Sequence, residues 1–110
     1  MTRASLPTRR PNCTRSVEWQ GHAMTVTIGF DPVTGSPVEV FCNTDKGGDM
    51  AATLADASVV LSVALQHGIT PAELGKSLGR VPVLWGEEGQ TQPSSPVGAI
   101  VEAILAEVRE

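Results

Sequence analysis

Aromatic side chains are scarce in this chain: 4% of the residues, two Trp and two Phe with no Tyr. The core must therefore be assembled from Val, Leu, Ile, Ala and Met, and a nucleic-acid surface built on stacked aromatic platforms is not expected. Cysteine is nearly as rare. Cys13 and Cys42 stand far apart, without a CxxC pair or the regular spacing of a small secreted scaffold, so a reducing, cytoplasmic setting is expected. Positive charge is also in deficit. Against 12 Asp and Glu there are 8 Lys and Arg, a formal net charge of -4, which argues against a nucleic-acid binder whose whole surface neutralises phosphates. A long apolar run is missing too. The N-terminal residues lack the apolar centre of a signal peptide, and the greasiest segment, residues 57–65, falls short of a bilayer's width. Export and membrane insertion are both disfavoured.

What is present suffices for one domain. A chain of 110 residues with 41% hydrophobic content can bury roughly two-thirds of the surface its unfolded form exposes. Charge is unevenly spread: Arg3, Arg9, Arg10 and Arg15 precede the first acid, Glu18. Residues 1–13 read as an extended, flexible basic arm, either a solubilising terminus or a clamp on a nucleotide, a nucleic acid or an acidic partner. Residues 14–110 read as a single domain.

Within that domain a short strand over residues 14–19 puts Val17 and Trp19 on one face, and Gln20-Gly21 forms a tight turn. Met24, Val26, Ile28 and Phe30 then alternate with Ala23, Thr25, Thr27 and Gly29, the pattern of a half-buried strand. Residues 31–37 carry Asp, Pro and Gly where a chain reverses, and lead into a second hairpin strand, Val38 to Cys42. An antiparallel sheet of about three strands, covered on one side by helices, satisfies this pattern.

The second half is helical. Met50, Leu54, Ala57, Leu61, Ala64 and Leu65 follow helical spacing, and Val59, Val60 and Val63 widen the apolar surface, so this long helix is expected to be buried on more than one side. Gly68 sits where a left-handed C-terminal cap is wanted. Thr70-Pro71-Ala72-Glu73 reads as a capping box opening a short helix that stops at Gly79. Residues 79–95 read as a loop whose Trp85 docks on the core. Ser95-Pro96 opens a last helix, residues 96–109, with the stripe Val97, Ile100, Val101, Ile104, Leu105 and Val108. That stripe packs on its own domain or on a partner. The fold class expected is α+β.

Candidate chemistry is thin. Lys46-Gly47-Gly48, between a strand and the long helix, offers close backbone approach, unpaired N–H groups and a positive charge, enough for a phosphate or nucleotide. It lacks the spacing of a P-loop or dinucleotide fingerprint, and a β-to-α turn with Asp49 as N-cap explains the same residues. Cys13, Cys42, His22 and His67 show no ligand spacing, so no metal or cofactor is expected. The carboxylates Glu18, Glu39, Asp49 and Asp56 are unpaired in sequence and read as a solvated face. Ser58 and Ser62, a helical i, i+4 pair, can bond backbone carbonyls, and their small size can let another helix approach. These residues point to a binding or assembly domain, with Val59, Val63, Val97, Ile100, Val101 and Ile104 as candidate interface residues and a homo-oligomer as one outcome.

The order of four segments carries a resemblance. Residues 25–31 (TVTIGFD), 35–41 (GSPVEVF), 46–49 (KGGD) and 61–69 (LSVALQHGI) together resemble the TSCPD domain, found near the C-terminus of adenosylcobalamin-dependent ribonucleotide reductases and as short stand-alone proteins. The resemblance covers about residues 14–79. It implies an association with deoxyribonucleotide synthesis and, as partner, a ribonucleotide reductase chain. No Thr-Ser-Cys-Pro-Asp string and no C-terminal cysteine pair are present, and 110 residues cannot hold the catalytic barrel. No independent reductase activity is therefore expected.

Overall fold

A computed structural model describes residues 11–45 and 47–108. Three strands, β1 (Asn12–Trp19), β2 (His22–Phe30) and β3 (Pro37–Thr44), form one antiparallel sheet in the order β1-β2-β3. The β1-β2 turn is Gln20-Gly21, with φ of +46° and +82°. Positive φ at both central residues is the type I′ loop, whose twist matches that of its strands. Between β2 and β3, the Asp31 carboxylate accepts the N–H groups of Val33 and Thr34 at 2.7 and 3.0 Å, and Gly35 takes a φ of +74°. The strand pairing slips by one residue at Gly29/Phe30.

The sheet is two-faced. Met24, Val26 and Ile28 on β2, with Val40 and Cys42 on β3, are buried in the core, as the alternation predicts. On the opposite face Thr14, Thr25, Phe41 and Asn43 are exposed. The helices are α1 (Gly48–Gln66), α2 (Pro71–Ser77) and α3 (Pro96–Val108). Ile100, Val101 and Ile104 of α3 complete the core against the sheet, so this stripe packs on its own domain. Arg15 of β1 pairs with Glu107 of α3 at 3.0 Å, and the Trp19 indole donates to the Pro93 carbonyl at 3.1 Å. The expected α+β class is what the chain adopts.

The helix boundaries follow their local signals. At the end of α1 the N–H of Gly68 bonds the Leu65 carbonyl and that of Ile69 bonds the Ala64 carbonyl, the two bonds of a Schellman motif, with Gly68 at φ +91°. Thr70 caps α2 by accepting the Glu73 N–H at 3.2 Å. Ser95 Oγ accepts the Gly98 N–H at the start of α3.

Four expectations need correction. β1 begins at Asn12, inside the segment read as an arm, and residues 1–10 of that arm lie outside the described residues. Residues 79–95 contain a two-stranded ribbon, β4 (Arg80–Pro82) with β5 (Thr91–Pro93), anchored where Arg80 meets Thr91 and, at 3.1 Å, Glu102 of α3. Trp85 sits at the tip of that ribbon, 97% exposed, instead of docking on the core. The long helix is not buried on more than one side, because Val59 and Val60 are 55% and 67% exposed.

Candidate functional site

The placement of α1 is the least ordinary feature of the fold and follows from strand register. Phe30 N–H bonds the Pro11 carbonyl, so in β2 the even residues turn their backbone groups towards β1 and the odd ones towards β3. With Thr27 opposite Phe41 and Ile28 opposite Val40, the N–H and C=O of Val40 must face outward, away from β2. Both meet α1. Ser62 Oγ accepts the Val40 N–H at 3.0 Å and lies 3.1 Å from the Val40 carbonyl. Four residues on, the Gln66 side chain donates to the Val38 carbonyl at 2.9 Å. α1 therefore runs antiparallel along the edge of β3 and covers it with side-chain hydrogen bonds, which removes an open strand edge.

The buried face of α1 comprises Leu54, Ser58, Leu61, Ser62, Leu65 and Gln66. Ser58 and Ser62 donate back to the carbonyls of Leu54 and Ser58, both at 2.8 Å, as their spacing allows. At Ser62 the small side chain admits the edge of β3. The apolar stretch first read as residues 57–65 lies within a 19-residue helix, and among the described residues α1 is the one helix long and apolar enough, by length and composition, to cross a membrane.

Of the residues proposed for an interface, Val59 is exposed and Val63 half-buried. Val97 is half-buried, whereas Ile100, Val101 and Ile104 are at most 1% exposed. These three lie inside the domain and present nothing to a partner. Accessible apolar surface on α1 centres on Val59 and Val60.

The phosphate candidate falls at the start of α1. Lys46 lies outside the described residues. The N-cap is Gly47, with no side-chain capping bond, and Asp49 lies in the first turn instead of capping it. Gly48 has φ +71°, a conformation that L side chains rarely adopt, and a Cβ on either glycine would meet nothing within 4 Å. Gly48 serves a left-handed turn into the helix, and no group among the described residues closes over the two glycines.

Reactive groups do not converge. Among the described residues no three His, Cys, Asp or Glu side chains come together as metal ligands. Cys42 is buried, and burial pushes its thiol pKa above the ordinary value, keeping it protonated and poorly nucleophilic. His22 stacks on Trp19 with ring centroids 5.9 Å apart, and His67 caps the C-terminus of α1. Two grooves flank α3. One of about 300 Å³ lies against α2 and β4, lined by Gly75, Leu78, Arg80, Val101 and Leu105. The other, about 350 Å³, runs beside β1 and includes Arg15, Val17, Glu18, Ala99 and Glu102.

An antiparallel sheet with one edge covered by a helix and one face closed by another defines a small α+β domain. Its family is shown by sequence: the chain belongs to the TSCPD domain family, whose model matches residues 2–108. That match extends well beyond residues 14–79, taking in the first residues of β1, the ribbon and α3. No curated protein and no solved structure matches the chain significantly.

Proposed function

We propose that this TSCPD domain is an accessory binding module for a ribonucleotide reductase chain, acting in the cytoplasm in deoxyribonucleotide synthesis through protein contacts and not through chemistry of its own. The observation that carries the reading is the exposed valine surface of α1, Val59 and Val60, on a helix whose other side is fixed to the sheet. Exposed β-branched side chains on a rigid helix are suited to anchoring a partner. The family supplies the class of partner, because TSCPD domains occur within reductases. Capture of a purified cobalamin-dependent reductase chain by this protein tests the reading. Wild type is expected to bind, and the double variant Val59→Asp, Val60→Asp is expected to lose binding while remaining folded. Failure of wild type to bind, together with deoxynucleotide pools unchanged by deletion of the gene, overturns it.

The second reading is a phosphate or nucleotide sensor at Lys46, Gly47 and Gly48. It has in its favour a helix start without a side-chain cap, which leaves N–H groups open to an anion, and against it the carboxylate of Asp49 in the first turn. Thermal-shift measurement with nucleotides decides the matter, since a ligand at a hundredfold excess over its dissociation constant stabilises by about 2.7 kcal/mol.

A further inference from the structure

The two edges of the sheet are treated differently. The edge of β3 is occupied by Ser62 and Gln66 of α1. Among the described residues β1 pairs only with β2. The register turns the backbone of Cys13, Arg15, Val17 and Trp19 towards β2, and that of Thr14, Ser16 and Glu18 outward. Asn12–Trp19 holds no Pro, no Lys and no bulge, devices by which natural edges avoid pairing, and its charges are one Arg15 and one Glu18 of opposite sign.

We propose that two copies of this chain pair through β1, antiparallel about a two-fold axis at Ser16, joining their sheets into one continuous sheet. The strand's own charges select this register. A two-fold at Arg15 sets arginine opposite arginine, which is unfavourable; one at Val17 or Thr14 shortens the overlap. At Ser16, pairing runs from Cys13 to Trp19, with Thr14 opposite Glu18 and Arg15 beside Val17 of the other copy. Hydrogen bonds exchange at Thr14, Ser16 and Glu18, whose groups already face outward. Arg15, whose guanidinium pairs with Glu107 of its own copy at 3.0 Å, lies beside Val17 of the other copy, and no like charges stand directly opposite one another across the axis. The contact is isologous and closes on itself as a dimer.

Sedimentation velocity of the full chain over a concentration series tests this. Wild type is expected to run as a dimer that dissociates on dilution. In Ser16→Pro the lost N–H faces away from β2, so the fold and its thermal transition are retained while the dimer weakens at least tenfold; Ser16→Ala keeps the dimer. Independently, Ser16→Cys is expected to give a disulfide-linked species of twice the chain mass under mild oxidation, absent from wild type, because hydrogen-bonded partners in antiparallel strands lie about 5.5 Å apart at Cα. A wild type that is monomeric throughout overturns the proposal. So does a dimer indifferent to Ser16→Pro, or a Ser16→Cys chain that fails to cross-link.

Discussion

Replacing Ser62 by Ala removes one hydroxyl and should expose how α1 is held. Its Oγ accepts the Val40 N–H at 3.0 Å and lies within 3.1 Å of the Val40 carbonyl, in a buried seam. Without it, an edge-strand donor is left in a dry contact. An unsatisfied buried backbone donor costs about 1–3 kcal/mol, and about 2 kcal/mol lowers the Tm of a domain this size by roughly 10 °C. Ser58 supplies the control. It is equally buried, 2% against 3% exposed, but its hydroxyl bonds only the Leu54 carbonyl of its own helix at 2.8 Å, and such a back-bond adds nothing to α1's attachment. Ser58→Ala should therefore change stability by less than about 0.5 kcal/mol. Urea unfolding followed by circular dichroism gives both values, with an unchanged m-value certifying that only stability has moved. Equal losses in the two variants, or no loss in Ser62→Ala, would refute the reasoning that side-chain bonds to the strand fix the helix.

Three further outcomes are expected. Ile100→Ala empties a fully buried position between α3 and the sheet and should cost about 2–5 kcal/mol by thermal or urea unfolding. The neighbouring glycines before α1 should respond with opposite signs: Gly48→Ala, at φ +71°, loses about 1–2 kcal/mol to backbone strain, while Gly47→Ser, at the extended N-cap, adds a capping bond and gains a few tenths of a kcal/mol. The N–H groups of Thr34 and then Val33 hold the Asp31 carboxyl below its ordinary pKa of 3.8. Its contribution is thus present above that value and lost as the pH falls through the lowered pKa, so the stability gap between wild type and Asp31→Ala should be full at neutral pH and shrink below 3.8.

Punctuation and alternation were readable without coordinates because they act locally. The β2 alternation, the Gln20-Gly21 turn, the Gly68 cap and the Thr70 box each depend on a few adjacent residues, and each formed where those residues stand. The ribbon of β4 and β5 was missed because its strands are three residues each, too short for a period, and its anchor, Arg80 to Glu102, spans 22 residues. Trp85 was misplaced for a related reason. Apolar character favours burial, but the tip of a short ribbon cannot reach the core. At the candidate phosphate site the glycines were legible and their purpose was not, since a left-handed turn and a ligand cradle call for the same residue.

The orientation of α1 shows where hydrophobicity alone misleads. A helix that lies on the face of a sheet meets side chains and buries its largest apolar residues. One that lies along an edge meets backbone, and there close approach and hydrogen bonding favour Ser and Gln over Leu and Val. Four residues, Ser62 and Gln66 on α1 with Val38 and Val40 on β3, thus account for an inversion: polar Ser62 and Gln66 are inside, and Val59 and Val60 are outside. Those valines are not needed to attach the helix, since the opposite side already does so. In the function proposed above they are the surface that a partner meets. Loss of capture in Val59→Asp, Val60→Asp with unchanged unfolding would separate binding from folding; loss of both would place the valines back among the structural residues of the domain.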